Sequence, residues 1–428
     1  MKSSVFLLVL VALFLVSIPV AFALGITSTL LMAASSTGVR FGIIIHQMIG
    51  GVNTFTLLAV PLFLLAGKLM NASGTTDRLF AFAKILVGWL PGGLGHVNVI
   101  ASVIFAGMSG TAVSDASGLG LIEIKAMNDA GFGNDFACSV TAASSTLGPI
   151  IPPSLPLVVY GTMSGASVGA LFIAGVLPGI LMALIMMAVV TTYALIRRYP
   201  REKIPSPKEC VIGFAKAILP LMAPVIILLG IYTGLFTPTE AAAIVVLYSL
   251  FLGLLVYRTI NHKVLWGILV ETVYDAASIG LIVAAATLFG NVIIKALIPQ
   301  KVLEVVTSSI SSPVLLLLVI NIFLLVVGMF LETTSAITIL VPLLLPLTNA
   351  IGVDPVHFGI IIVLNLMIGV LTPPFGIVLF VTSYIGKMSV AALTKALMPW
   401  ILALFVALML ITYIPEISLL VPRMAGLL

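Results

Sequence analysis

Long, nearly uninterrupted hydrophobic stretches dominate this chain of 428 residues. Three of them run from Ser4 to Ala34, from Val168 to Ile196 and from Phe214 to Phe236. Each reaches the ~20 apolar residues that an α-helix needs to cross a bilayer. Apolar and polar residues do not alternate along them, as they would in the strands of a transmembrane β-barrel. The pattern predicts an all-α, polytopic membrane protein.

The first apolar stretch begins like a secretory signal peptide, because Lys2 precedes an apolar core and the letters AFA resemble a cleavage site. The apolar run continues past that point, through Ile26 to Ala33. This length favours an uncleaved first spanning helix.

Composition and charge narrow the function classes. Hydrophobic residues make up 61% of the chain and charged residues 8%, whereas soluble domains carry roughly 25% charged residues. The longest polar segment, Arg197 to Glu209, holds five basic residues, which places it in the cytoplasm. Lys and Arg form no stripe with interleaved aromatics, so no nucleic-acid surface is expected. Cys138 and Cys210 are too few for a disulfide framework or a zinc site.

Two apolar segments are interrupted in the same way. Gly92 to Met127 breaks at SGTAVSDASG and Pro313 to Leu347 breaks at FLETTS, so each is predicted to be a re-entrant hairpin. Each is followed by a helix with a double proline in its middle, at Gly148 to Pro156 and at Gly369 to Ile377. Two prolines unwind a helix, and unwound backbone at membrane depth must be buried in protein or line a wet cavity.

The two interrupted regions are copies of each other. Gly107 matches Gly328, Ser114 matches Ser335, Pro152-Pro153 matches Pro373-Pro374 and Gly165 matches Gly386, always at one offset (328 − 107 = 221). A constant offset indicates duplication. Counting spans from the basic segment places the hairpins on opposite sides of the membrane, so the repeats are predicted to be inverted. Inverted repeats with broken helices are typical of secondary transporters.

These features give a predicted division of the chain. Residues 1–91 form scaffold helices and an interfacial arm, 92–165 the first hairpin and broken helix, 166–312 further scaffold helices with the cytoplasmic loop and a second arm, 313–386 the second hairpin and broken helix, and 387–428 a final scaffold helix.

The breaks supply hydroxyls, backbone carbonyls and two carboxylates, a set of hard oxygen ligands that suits Na⁺ and no soft metal. The candidate sodium ligands are Ser109, Gly110, Ser114, Asp115, Gly148 and Pro149 in the first half, and Glu332, Thr333, Ser335, Gly369, Thr372 and Pro373 in the second. Carboxylates inside apolar segments usually mark ion pathways, although Asp115 and Glu332 would also serve as helix caps. Candidate substrate contacts are Pro153, Ser154, Thr372 and Lys295, and Lys295 has snorkelling to the surface as its alternative.

Two sequence motifs bear on whether the chain is an intramembrane protease or is driven by ATP. Residues 107–110 spell the GxSG of rhomboid intramembrane proteases, but no membrane-embedded histidine is placed to activate the serine. No Walker sequence is present, so ATP is not expected to drive the protein. We therefore expect a transporter and not an enzyme.

The motifs SGTAVSDASGLG, GPIIPPS, TPTEAAA, GMFLETTSA and GVLTPPFG resemble the large membrane subunit of the tripartite ATP-independent periplasmic (TRAP) transporters, the dicarboxylate-transporter large permease family. The resemblance runs along nearly the whole chain. It implies a Na⁺-driven elevator in the bacterial inner membrane. It also implies a small four-helix membrane subunit, a periplasmic binding protein and an organic acid substrate, sialic acid or a C4-dicarboxylate. The alternative is a self-sufficient carboxylate symporter coupled to Na⁺ or H⁺.

Overall fold

The computed structural model describes residues 9–14, 16, 18–34, 41–309 and 312–428, without the side chains of residues 34, 41, 109 and 305–309. The expected continuous first helix lies partly outside these residues. Within them the chain is helical and contains no strand. Residues 9–14 are helical, and a second helix follows after Pro19.

The described part of the first half contains nine further helices. They are α1 (Val20–Ala34), α2 (Phe41–Val52), α3 (Ala59–Ala72), α4 (Thr75–Val87), α5 (Gly93–Ser109), α6 (Ala112–Asp129), α7 (Asn134–Ser144), α8 (Leu155–Ser164) and α9 (Val168–Arg197). One-turn 3₁₀ segments, Phe55–Leu58 and Ser145–Leu147, precede α3 and follow α7.

The second half contains ten helices. They are α10 (Pro207–Tyr232), α11 (Pro238–Leu250), α12 (His262–Lys295), α13 (Ile298–Ser309), α14 (Pro313–Gly328), α15 (Thr333–Ala350), α16 (Pro355–Gly369), α17 (Ile377–Ile385), α18 (Val390–Tyr413) and α19 (Glu416–Met424). A π-helical segment, Phe251–Val256, continues α11.

Several helix starts are fixed by local sequence. Proline occupies the first turn of α10, α11, α14 and α16, where its missing amide costs nothing, and the preceding Ser206, Thr237, Ser312 or Asp354 accepts a hydrogen bond from the next turn. The carboxylate of Glu240 accepts a hydrogen bond from the amide of Thr237 at 2.8 Å and completes a capping box. Glu240 therefore has a structural role.

Seven helical stretches among the described residues are long and apolar enough to cross a membrane: Phe55–Ala72, Val168–Arg197, Pro207–Tyr232, Pro238–Val256, His262–Lys295, Thr333–Ala350 and Val390–Tyr413. The chain is thus an all-α polytopic membrane protein, as the hydrophobic pattern predicts. Both hairpins and both broken helices are present: α5 and α6 form the first hairpin, α14 and α15 the second, α7 and α8 the first broken helix, and α16 and α17 the second.

The helix bounds repeat with the same 221-residue offset as the sequence motifs. Helix α6 begins at Ala112 and α15 at Thr333; α7 begins at Asn134 and α16 at Pro355; α8 ends at Ser164 and α17 at Ile385. The duplication predicted from the motifs is therefore also a duplication of structure.

The helices form two groups, which also contact each other where α4 packs on α5 and α12 packs on α15. Helices α1, α2, α3 and α11 pack against one another or against α12, and α10 packs on α4 and α11. The hairpins and broken helices pack together with α9, α18 and α19. Helices α9 and α18 lie in segments predicted to be scaffold, whereas their main neighbours are α5, α7, α16, α19 and each other. The predicted domain boundaries thus remain a prediction, and packing favours moving these two helices to the hairpin group.

Candidate functional site

The first break is closed by backbone contacts between the hairpin and the double-proline segment. The amide of Leu155 donates to the carbonyl of Gly110 at 3.4 Å. Gly110 has φ +61°, and a Cβ there would lie 2.6 Å from the carbonyl oxygen of Pro153. Only glycine fits such a position without strain. The break between α5 and α6 therefore rests directly on the unwound segment between α7 and α8.

The other first-half candidates differ in what they offer a ligand. Gly148 and Pro149 are buried and Ser114 is exposed, while the side chain of Ser109 lies outside the described part of the chain. Ser154 is fully buried, donates to the carbonyl of Pro149, and accepts from the amide of Leu157 at 3.2 Å. Its hydroxyl is thus engaged as the cap of α8, and the unwound carbonyls remain the oxygens nearest the break.

Asp115 lies one turn into α6 and does not cap that helix. The cap is Thr111, whose hydroxyl accepts from the amide of Ser114 at 3.3 Å. The Asp115 side chain is only 2% exposed, and neither carboxylate oxygen accepts a hydrogen bond. Ser102 lies beside it but falls short of hydrogen-bond geometry. A buried carboxylate without partners calls for a proton or a cation.

A buried polar cluster that was not predicted from the sequence lies beside Asp115. Asn98 donates through Nδ2 to Glu123 Oε2 at 2.6 Å and to Thr141 Oγ1 at 2.7 Å. The Ser144 hydroxyl donates to Asn98 Oδ1 at 2.7 Å and accepts from Ser102 at 3.1 Å. All five side chains are at most 2% exposed. The spacing of these polar residues could have predicted the cluster, because positions 98 and 102 share one face of α5 and positions 115 and 123 share one face of α6.

The second break has the same backbone plan with more open side chains. The amide of Phe375 donates to the carbonyl of Met329 at 3.2 Å. Gly328 and Gly369 touch through their backbones, since a Cβ at Gly369 would lie 2.5 Å from Gly328 Cα. Pro373 is exposed, and the Thr372 hydroxyl donates back to the carbonyl of Ile368 at 2.9 Å.

Glu332 caps α15 and is exposed. Its Oε2 accepts from the amide of Ser335 at 3.0 Å, and its Oε1 accepts from the Thr334 hydroxyl at 3.0 Å. Thr333 and Ser335 are buried at the same helix start. The repeat offset pairs Glu332 with Thr111, and it pairs Asp115 with Ala336. Each half of the repeat thus has one acid near its break, but the two acids do not occupy equivalent positions.

Lys295 lies at the end of α12 and is exposed. A cation there complements the helix dipole and the position suits snorkelling. No described contact joins it to either break.

The histidines of the described residues are engaged or exposed. His96 Nε2 contacts the carbonyl of Pro91 at 3.1 Å, and His357 Nδ1 contacts Ser418 Oγ at 2.6 Å. His46 and His262 are exposed. None is described in contact with the first break, where the GxSG tetrapeptide lies.

Comparison with known proteins agrees with the motifs. Residues 7–417 match the family profile described as "Tripartite ATP-independent periplasmic transporter, DctM component". The chain is 45% identical over 409 residues, 95% of each protein, to the sialic acid TRAP transporter large permease protein SiaM of Vibrio cholerae. It is 41% identical over 373 residues, 87% of each protein, to the C4-dicarboxylate TRAP transporter large permease protein DctM of Pseudomonas aeruginosa.

A solved structure shares the fold. The YdaH transporter of Alcanivorax borkumensis superposes with a TM-score of 0.69 over 92% of this chain and 96% of that one, at 13% sequence identity. The relatives named above are permeases, and the chain is not an enzyme. The duplicated hairpins, the paired double-proline breaks and the family match over residues 7–417 together establish that this chain belongs to the DctM family, the large membrane component of the TRAP transporters.

Proposed function

We propose that this chain is the large permease subunit of a Na⁺-coupled secondary transporter, which imports an organic acid through the bacterial inner membrane by an elevator movement. Its substrate belongs to the sialic acid or C4-dicarboxylate class, because the names of the relatives SiaM and DctM give sialic acid and C4-dicarboxylate as their substrates. A periplasmic binding protein delivers the substrate, and a small four-helix membrane subunit completes the complex. These two partners are supported by the description of the family, which names a tripartite periplasmic transporter with DctM as one component.

The observation that carries the sodium proposal is the carboxylate of Asp115. It is 2% exposed and unpaired at a point where Gly110 meets the carbonyl of Pro153. Burying a charge without a partner costs roughly several kcal/mol of free energy, even after the protein has relaxed around it. A bound Na⁺ removes that cost and takes backbone carbonyl and hydroxyl oxygens as further ligands.

A second sodium site at the second break extends the proposal. Its oxygens would come from Gly369, Thr372 and Glu332. The Glu332 carboxylate already accepts from Ser335 and Thr334, so a cation would share that carboxylate with the helix cap.

The elevator part of the proposal is supported by packing. One group of helices packs around α12, and the hairpins and broken helices form another with α9 and α18. The two groups meet where α12 packs on α15 and α4 packs on α5. Movement of the second group against the first would carry both breaks across the membrane together. Lys295 ends α12, which belongs to the first group, so we assign it to the membrane surface and not to the substrate.

Transport by the reconstituted complex tests this function. Proteoliposomes would contain this chain and its small subunit, with a candidate binding protein outside and labelled sialic acid or succinate as substrate. We expect uptake to require the binding protein and an inward Na⁺ gradient. Full uptake by this chain alone would instead support the self-sufficient symporter, and uptake driven by a pH gradient without Na⁺ would contradict sodium coupling.

The matched pair Asp115→Asn and Asp129→Asn tests the site. Both acids lie on α6, but Asp129 is exposed. We expect Asp115→Asn to raise the half-maximal Na⁺ concentration about tenfold or more, since tenfold corresponds to ~1.4 kcal/mol of binding free energy. Asp129→Asn should leave it unchanged. Equal sodium dependence in both variants would remove Asp115 from the site.

A further inference from the structure

Glu123 is a second carboxylate inside the first hairpin. Its side chain is 1% exposed, and it is the only glutamate buried among the described residues. Oε2 accepts from Asn98 Nδ2 at 2.6 Å, and Oε1 has no hydrogen-bond partner. No lysine, arginine or histidine of the described chain forms an ion pair with it. Its negative charge would therefore have one amide and no counter-ion.

The second charge of the hairpin increases that cost. Asp115 and Glu123 lie on the same helix, α6, and both side chains are buried. Two like charges repel strongly where water does not screen them. If both carboxylates were ionised, the hairpin would hold two buried negative charges and no buried positive one.

The arrangement around Glu123 does not resemble a metal site. Asn98 presents an N–H group to Glu123 and another to Thr141 Oγ1, at 2.6 and 2.7 Å. Its oxygen is turned away and accepts from Ser144 at 2.7 Å. A cation takes several oxygen ligands, and the N–H groups of Asn98 already occupy Glu123 Oε2 and Thr141 Oγ1, whereas a proton binds to the single unpaired oxygen Oε1.

We propose that Glu123 is a proton-binding site, so that the buried cluster formed by Asn98, Ser102, Glu123, Thr141 and Ser144 holds a neutral carboxylic acid beside the cation site at Asp115. In this step one proton binds to Glu123 Oε1, and no other bond forms or breaks. Given the proposed function, this leaves Asp115 as the single negative charge that a Na⁺ neutralises. The hairpin would then carry one proton and one sodium ion.

The other titratable groups on the neighbouring helices are accounted for. On α6 itself, Lys125 and Asp129 are exposed, and on α17 Tyr384 is 86% exposed. On α5, His96 contacts the carbonyl of Pro91. On α7, Asp135 pairs with Arg197 at 2.8 Å, and Cys138 contacts Asn134. Among the described residues of these helices, Asp115 is therefore the only other buried carboxylate with an oxygen that lacks a partner.

Glu123 lies near the exposed end of α6. Glu123 lies three turns beyond the break at Thr111, and the exposed residues Lys125, Asn128 and Asp129 follow within two turns. The expected cytoplasmic side of this hairpin makes the cytoplasm the source of the proton.

Infrared spectroscopy of the full-length chain in lipid nanodiscs tests the proton directly. A protonated carboxylic acid has its own carbonyl stretching band, which shifts in D₂O and which a carboxylate lacks. At pH 7 and saturating NaCl, we expect the native chain to show such a band and Glu123→Gln to lose it. The matched control is Glu240→Gln, which removes an exposed, hydrogen-bonded glutamate. That control should leave the band unchanged.

Labelling glutamate with ¹³C in the native chain gives the same assignment without a substitution, in case Glu123→Gln does not fold. The band should shift on labelling. A native chain without the band, a band that Glu123→Gln retains, or a band that ¹³C-glutamate does not shift would each overturn the proposal. A band that disappears when Na⁺ is added would also overturn it, because Glu123 would then be a sodium ligand. These outcomes are independent of whether sodium drives transport.

Discussion

Thr111 and Glu332 occupy the same place in the two repeats: each is the N-cap of the second hairpin helix, and each accepts a hydrogen bond from the amide three residues later. Thr111 Oγ1 accepts from Ser114 at 3.3 Å, and Glu332 Oε2 accepts from Ser335 at 3.0 Å. A neutral cap in one half thus corresponds to a charged cap in the other. Asp115 has no acidic counterpart, because Ala336 stands at its equivalent position. The first break is therefore the one with a buried charge.

The cap role of Glu332 predicts a difference between two substitutions. Glu332→Ala removes the acceptor and should cost ~1 kcal/mol of stability, as other lost caps do. Glu332→Gln retains an acceptor oxygen without the charge, so it should melt close to the native chain. Thermal melting in one detergent compares the three. The half-maximal Na⁺ concentration of Glu332→Gln then shows whether the charge also binds sodium; an increase would support the second site, and a native value would exclude it.

The equivalent glycines Gly148 and Gly369 should respond differently to one added methyl group. A Cβ at Gly369 would lie 2.5 Å from Gly328 Cα, whereas at Gly148 the nearest atoms are 3.4 Å away, an ordinary contact. Gly369→Ala should therefore destabilise the protein by ~1–3 kcal/mol, the usual cost of overpacking. Gly148→Ala should cost clearly less. Equal melting temperatures for the two variants would contradict the close approach at the second break.

Asn98→Ala should destabilise the first hairpin. Its amide contacts Glu123, Thr141 and Ser144, and removing it leaves buried groups without a partner at a cost of about 1–3 kcal/mol each. Asn349→Ala is the matched control, because Asn349 is exposed. Melting temperatures on the same preparation compare them, and a loss no larger in Asn98→Ala would show that the buried cluster contributes little.

Tyr160→Phe should loosen the contact between the two repeats. The Tyr160 hydroxyl, on α8, donates to the carbonyl of Pro355 at the start of α16, at 2.5 Å. Losing one such hydrogen bond should cost ~1 kcal/mol, read from the melting temperature. Tyr384→Phe removes a hydroxyl from a side chain that is 86% exposed and should have no effect. A native melting temperature for Tyr160→Phe would mean that this bond does not stabilise the pairing of the repeats.

The sequence by itself determined the membrane class, the two hairpins, the two broken helices and the register of the repeat. Its reasons are local: runs of apolar residues, paired prolines that unwind a helix, and glycines at fixed spacing. The constant offset recovered helix starts such as Ala112 and Thr333, since both follow a cap residue. These features depend on residues near one another in the chain.

Only the tertiary structure decided which polar groups share an environment. Glu332 and Asp115 look alike in sequence as acids near a hairpin break, yet one is an exposed cap and the other is buried without a partner. The importance of Glu123 was missed because its hydrogen-bond partner Asn98 lies 25 residues before it on α5, and Asn98 in turn donates to Thr141 on α7. Burial and hydrogen bonding between helices depend on which faces pack together, and that packing places the buried charge at the first break.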